Sequence, residues 1–102
     1  MAKIVGIGAT VFDTLYNIPT YPNEDTKMRA TASKTAGGGP VATGLVAAKK
    51  LGVDAAYIGV LSDDNGGKFL KEDFEKYGVE TRYIDVKSGY RAFASVLWLC
   101  AD

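Results

Sequence analysis

A chain of 102 residues with 12 Lys and Arg, 12 Asp and Glu, no His and one Cys has the length of one domain and no net charge. Neutrality removes any electrostatic drive toward nucleic acid or an anionic membrane surface, and no apolar run approaches the ~20 residues of a membrane span. Without His, Ser–His–Asp and Cys–His chemistry are unavailable and a zinc site of the usual kind is all but excluded.

The N-terminus MAKIVGIG lacks a signal-peptide layout, and the lone Cys100 can close no disulfide within the chain, which fits a reducing, cytoplasmic setting. Chemistry would have to come from carboxylates, lysines, backbone amides or a bound metal. Lys3 to Gly8 (KIVGIG) reads as a buried strand bounded by glycine. The following TVFDTLYNIPTYPNED cannot be a long helix, because Pro19 and Pro22 interrupt it. Lys27 to Thr35 alternates polar and small residues, as an exposed strand or extended loop does. From Pro40 a helix is expected, with Val41, Leu45, Ala48 and Leu51 on one face, Lys49 and Lys50 in its last turn, and Gly52 as its cap. Ala55 to Leu61 predicts a second buried strand. Asp64 or Asn65 then caps a helix from about Gly66 to Tyr77 that turns Phe69, Leu70, Phe74 and Tyr77 inward. A third strand is expected near Thr81 to Val86, and Ala92 to Cys100 (AFASVLWLC) is a strongly apolar, β-prone run in need of a neighbour. Strand–helix–strand–helix–strand with short connections predicts an α/β fold with a parallel sheet.

Several stretches are candidates for chemistry. The G-x-G of GIGATV has Val11 where a dinucleotide fingerprint needs its third glycine, and no helix follows, so it reads as a strand end turning into a loop. Asp13 lies just beyond that strand, at the edge where open α/β sheets bind ligands; its carboxylate can accept from vicinal hydroxyls or close an Asx-turn. The glycines of AGGGPVATG can present amides to an anion or to hydroxyls, or can allow tight helix–strand packing. Asp63 and Asp64 in SDDNGG fit helix capping better than a metal site. Arg91 can reach an anionic group or remain solvated, and Cys100 reads as a small buried hydrophobe.

In order, these pieces resemble the N-terminal part of a PfkB/ribokinase-family carbohydrate kinase. The match is carried by G-x-x-x-x-D from Gly8 to Asp13, by GGGPVATGLVAAKKLG, and by AAYIGVLSDDNGG, which resembles the family's IGxVGxDxxG. The resemblance implies a ribokinase-like three-layer α/β/α core, present in part, plus a β-sheet lid with strands at approximately 13–17, 27–35 and 92–100. The last of these would pair with strands beyond residue 102, and a lid of this type offers a homodimer contact. By resemblance, Asp13 and the backbone of Gly38 and Gly39 hold hydroxyls of a sugar or sugar derivative, with Thr43 at a further contact position; Arg91 joins the expected substrate contacts from its place before the last apolar run. Thr43 and Val11 stand where ribokinase-like members carry Asn, which points away from ribose itself. The family's catalytic Asp lies in a downstream G-A-G-D motif that is absent here. The resemblance therefore implies that residues 1–102 are the sugar-binding first third of an ATP- and Mg2+-dependent kinase, inactive alone, with no catalytic, nucleotide or metal residue in this chain. Two alternatives stay open: a nucleoside kinase of the same family, and a non-catalytic sugar-binding or assembly module complete at 102 residues.

Overall fold

The computed structural model describes residues 3–100. Its elements are β1 (Lys3–Ile7), β2 (Val11–Ile18), β3 (Ala32–Gly38), α1 (Pro40–Lys50), β4 (Asp54–Ser62), α2 (Asn65–Lys76), β5 (Ile84–Lys87) and β6 (Ala94–Cys100). They form a parallel sheet in the order β1-β4-β5 and a second, mixed sheet in the order β3-β2-β6. The fold is α/β, with a partial core.

Both helices begin and end where local chemistry directs. Pro40 opens α1, Lys49 and Lys50 close it near the negative end of its dipole, and Leu51 takes the cap with Gly52 immediately after. Asp64 caps α2 by accepting from the Gly67 amide at 2.8 Å. The connections β1–α1–β4 and β4–α2–β5 step the same way across the sheet, so right-handed crossovers put both helices on one face. On that face Tyr57 and Leu61 of β4 meet Ala42 and Leu45 of α1, Leu70 and Phe74 of α2, and Val79. The Tyr57 and Phe74 rings stack at 4.9 Å. Burying side chains of this size contributes about 1.5–3 kcal/mol each, which makes this cluster the main source of stability.

The opposite face carries no helix among the described residues, and Val5, Ile7, Ile58 and Val60 lie open on it. That corrects the expectation of a buried first strand: β1 has one neighbour and cover on one side only, so Ile7 is 74% exposed. The accessible surface is 7062 Å2, against about 5,500 Å2 for a compact protein of this mass. The excess is the open face plus the second sheet, which stretches the molecule to 52 × 34 × 18 Å.

In the second sheet β2 pairs antiparallel with β3 and parallel with β6. The strand of the polar segment starts later than expected, at Ala32, and runs on through Gly37 and Gly38. Glycine is tolerated there because a Cβ at Gly37 would meet the Asp73 carboxylate and one at Gly38 that of Asp13. The apolar run finds one partner within the chain: β6 pairs with β2 from Phe12↔Ala94 to Ile18↔Cys100. Its outer edge is open, with Val96 and Trp98 exposed.

Three smaller expectations change. Cys100 is exposed, not buried, because it ends an edge strand. Leu51 is 84% exposed, since the cap residue has left the helix face that packs. The strand expected at Thr81 to Val86 is Ile84–Lys87, preceded by a single bridge from Glu80 to Ala56.

Candidate functional site

The site builds up where the first sheet hands the chain to the second. After β1, Gly8 to Thr10 crosses over and Val11 starts β2, so Asp13 falls on the third residue of that strand. Side chains alternate along a strand, and Phe12 points toward α2, where its ring meets Phe69 at 5.1 Å. Asp13 therefore faces the other way. Its carboxylate is bracketed from both neighbouring strands. From β6, the Ser95 hydroxyl donates to Oδ1 at 2.5 Å. From β3, Oδ2 lies so close to the Gly38 backbone that any side chain at residue 38 would collide with it.

Gly39 follows with φ +96, ψ 145, and a Cβ there would stand 2.7 Å from the Ala9 carbonyl oxygen. Only glycine relieves both constraints. Gly39 is also the N-cap of α1 and offers no side chain to close it, and the first turn holds no acidic residue. Pro40 has no amide, so the uncapped amides of that turn are those of Val41 and Ala42, which follow directly on the Gly38–Gly39 backbone that Asp13 approaches. A carboxylate beside free helix amides can take both sides of a hydroxyl: it accepts the proton, and the amides donate to the oxygen.

Below this junction lies a cavity of about 480 Å3 lined by Gly8, Ala9, Thr10, Tyr57, Ser62 and Arg91. Tyr57 donates its hydroxyl to the Gly8 carbonyl at 2.5 Å and so fixes the crossover loop. Burial pushes its phenol up, with a hydrogen bond to Thr10 pulling the other way. Arg91 is exposed at the rim and brings a positive charge to the cavity.

Of the residues singled out from sequence, Asp13, Gly38 and Gly39 come together, and Arg91 lines the adjoining cavity. Thr43 does not join them. Its amide donates to the Gly39 carbonyl at 3.0 Å, but the residue borders a separate groove of about 720 Å3 between α1, α2 and β3, with Lys34, Lys50, Asp73 and Tyr77. Sequence reasoning misses Ser95, whose only signal is that it is the one hydroxyl inside AFASVLWLC. Capping is one of two roles for Asp64, whose Oδ2 also accepts from the Ala92 amide at 3.0 Å, beside Arg91.

Residues 1–94 match the family model described as pfkB family carbohydrate kinase. A 5-dehydro-2-deoxygluconokinase of Bacillus subtilis is 36% identical over 90 residues, covering 87% of this chain and 26% of that protein. A nucleoside kinase of Methanocaldococcus jannaschii is 29% identical over 77 residues, covering 76% of this chain and 24% of that protein. Among solved structures, the ribokinase of Arabidopsis thaliana complexed with ribose and ATP superposes with a TM-score of 0.83 at 24% identity, over 98% of this chain and 32% of that one. The chain thus spans about a quarter to a third of the length of these proteins.

Proposed function

The chain belongs to the pfkB family of carbohydrate kinases, and from that premise we propose that residues 1–102 are the sugar-binding N-terminal part of an ATP-dependent kinase that phosphorylates a sugar hydroxyl. The observation that carries this reading is the apposition of the Asp13 carboxylate and the Gly38–Gly39 backbone at the uncapped start of α1. Asp13 accepts from sugar hydroxyls, and the amides at the start of α1 donate to them. Arg91, at the rim of the adjoining cavity, meets an anionic group where the substrate is a sugar derivative. Thr43 is left out of the proposed contacts, because its amide is already bonded to the Gly39 carbonyl and the residue borders the other groove. The second sheet serves as the lid over the sugar, and the open edge of β6 is where a second copy would pair.

No three His, Cys, Asp or Glu side chains among the described residues converge on a point that could hold a metal ion. Because the family's catalytic Asp lies in a downstream G-A-G-D motif that residues 1–102 do not contain, we assign that carboxylate, with ATP and Mg2+, to the remainder of the enzyme and derive no step through them. Within this chain the task is binding and orientation, which in phosphoryl transfer supplies much of the catalysis.

The test is an Asp13→Ala change in the full-length protein, with initial rates measured across hexoses, sugar acids and nucleosides. The KM for the preferred substrate is expected to rise at least about tenfold, the loss of a hydrogen bond to a charged group. An unchanged KM removes Asp13 from the site. A preference for nucleosides over free sugars redirects the reading to a nucleoside kinase, whose ribose presents the same vicinal diol. Intact mass of the natural gene product separates the kinase from an assembly module: a mass matching 102 residues sinks the kinase reading.

A further inference from the structure

The proposed sugar contact is made by a carboxylate that cannot hold its own orientation. Asp13 sits half-buried on the central strand of a sheet with open edges, and a free carboxylate there samples more than one rotamer. Gly38 limits it on one flank by leaving room only for Oδ2. On the other flank the parallel register sets Ser95 directly opposite Asp13, and the 2.5 Å hydrogen bond from its hydroxyl engages Oδ1. Neighbours of Ser95 along the same strand are Ala94 and Val96, which offer no side-chain donor.

We infer that Ser95 is a positioning residue for Asp13: by donating to Oδ1 it fixes the carboxylate so that Oδ2 stays beside Gly38 and the start of α1, turned to the substrate hydroxyl. This deepens the proposed function and rests on its reading of Asp13. The hydroxyl has no part in proton or phosphoryl transfer. Its effect belongs to ground-state binding, in KM and not in kcat. A second consequence follows from geometry. Ser95 stands on β6 and Asp13 on β2, so the contact couples the sugar-holding group to the strand pair of the second sheet. Any displacement of β6 along β2 breaks the alignment and loosens the carboxylate.

Four variants of the full-length enzyme test this: Asp13→Ala, Ser95→Ala, Ser95→Thr and the double change Asp13→Ala with Ser95→Ala. Ser95→Ala is expected to raise the sugar KM roughly three- to tenfold, the worth of one hydrogen bond, and to leave kcat within about twofold. Ser95→Thr keeps the hydroxyl, fits a strand, and restores KM. The double change is expected to bind no worse than Asp13→Ala alone, since the serine acts only through the aspartate. If Ser95→Ala leaves KM unchanged while Asp13→Ala raises it, the positioning role is overturned and the sugar site stands. The positioning role is equally overturned if Ser95→Ala adds its full effect on top of Asp13→Ala, or if it lowers kcat and leaves KM alone. If Asp13→Ala itself leaves KM unchanged, the sugar reading of Asp13 falls and the role of Ser95 falls with it. Thermal unfolding of each variant separates these effects from those of a misfolded chain.

Discussion

The Asp64 carboxylate accepts the Ala92 amide across 28 residues of sequence. Its Oδ2 holds Ala92 at 3.0 Å, while Oδ1 takes the Ser62 hydroxyl at 2.6 Å and the Gly67 amide at 2.8 Å. One side chain thus closes the N-terminus of α2 and ties down the chain just ahead of β6. Phe12 and Ala92 both settle over Gly66, and the Phe12 amide donates to the Phe93 carbonyl at 2.7 Å. The two sheets are joined here.

The two roles of Asp64 separate by substitution. Asp64→Asn can keep an oxygen toward Gly67 but then turns its amide donor at the Ala92 N–H, so the cap survives and the tie is lost. Asp64→Ala loses both. We expect Ala92 amide exchange to accelerate roughly tenfold in the Asn variant with α2 still protected, and protection of the first turn of α2 to fall as well in the Ala variant. Equal exchange at Ala92 in all three proteins removes the tie.

The same contacts set a pH dependence. The Ser62 hydrogen bond, then those of Gly67 and Ala92, hold the Asp64 carboxyl below its ordinary value of 3.8. A group whose folded pKa is depressed stabilises the fold above its unfolded pKa, and that stabilisation is lost as pH falls through the folded one. Thermal midpoints of the parent and Asp64→Asn proteins are therefore expected to differ near neutrality and to converge at pH values below 3.8. A gap that stays constant into acid contradicts the assignment.

The core makes a plainer demand. Phe74 is 2% exposed and stacks on Tyr57, so Phe74→Ala is expected to cost about 3–5 kcal/mol in urea unfolding. Leu51, equally apolar and 84% exposed, should change stability by no more than about 0.5 kcal/mol when replaced by Ala. Similar losses at both positions would mean that the packing described for α1 and α2 is wrong.

That pair also shows what the sequence can and cannot convey. Helix α2 is legible because Asp64 and the apolar spacing of Leu70 and Phe74 are local signals within one stretch. Periodicity misplaces Leu51, since spacing alone does not say that the cap residue has already turned away. Asp13, Gly38 and Gly39 are legible as a group through their family resemblance, and their mutual contact emerges only in three dimensions. Ser95 is not legible at all: its partner lies 82 residues earlier, and a parallel register between distant strands leaves no periodic trace in either. The exposure of Ile7 and Cys100 has the same origin, for burial depends on which layers cover a strand and not on the strand's own composition.

Two glycines of α1, one at its N-cap and one inside it, should respond to alanine in opposite directions. Gly39 has φ +96, and an added Cβ would stand 2.7 Å from the Ala9 carbonyl oxygen, a backbone atom of the crossover loop that cannot swing aside. Gly39→Ala is expected to destabilise by about 1–3 kcal/mol and to displace α1 from Asp13. Gly44 lies within α1, is exposed, and has nothing within 4 Å of where a Cβ would go. Gly44→Ala removes only the entropic penalty of glycine in a helix and should stabilise by about 0.5–1 kcal/mol. Urea unfolding of the two variants reads both signs at once. Destabilisation by Gly44→Ala would show that α1 packs against something on that face, and a neutral Gly39→Ala would show that the helix entrance does not press on the crossover loop.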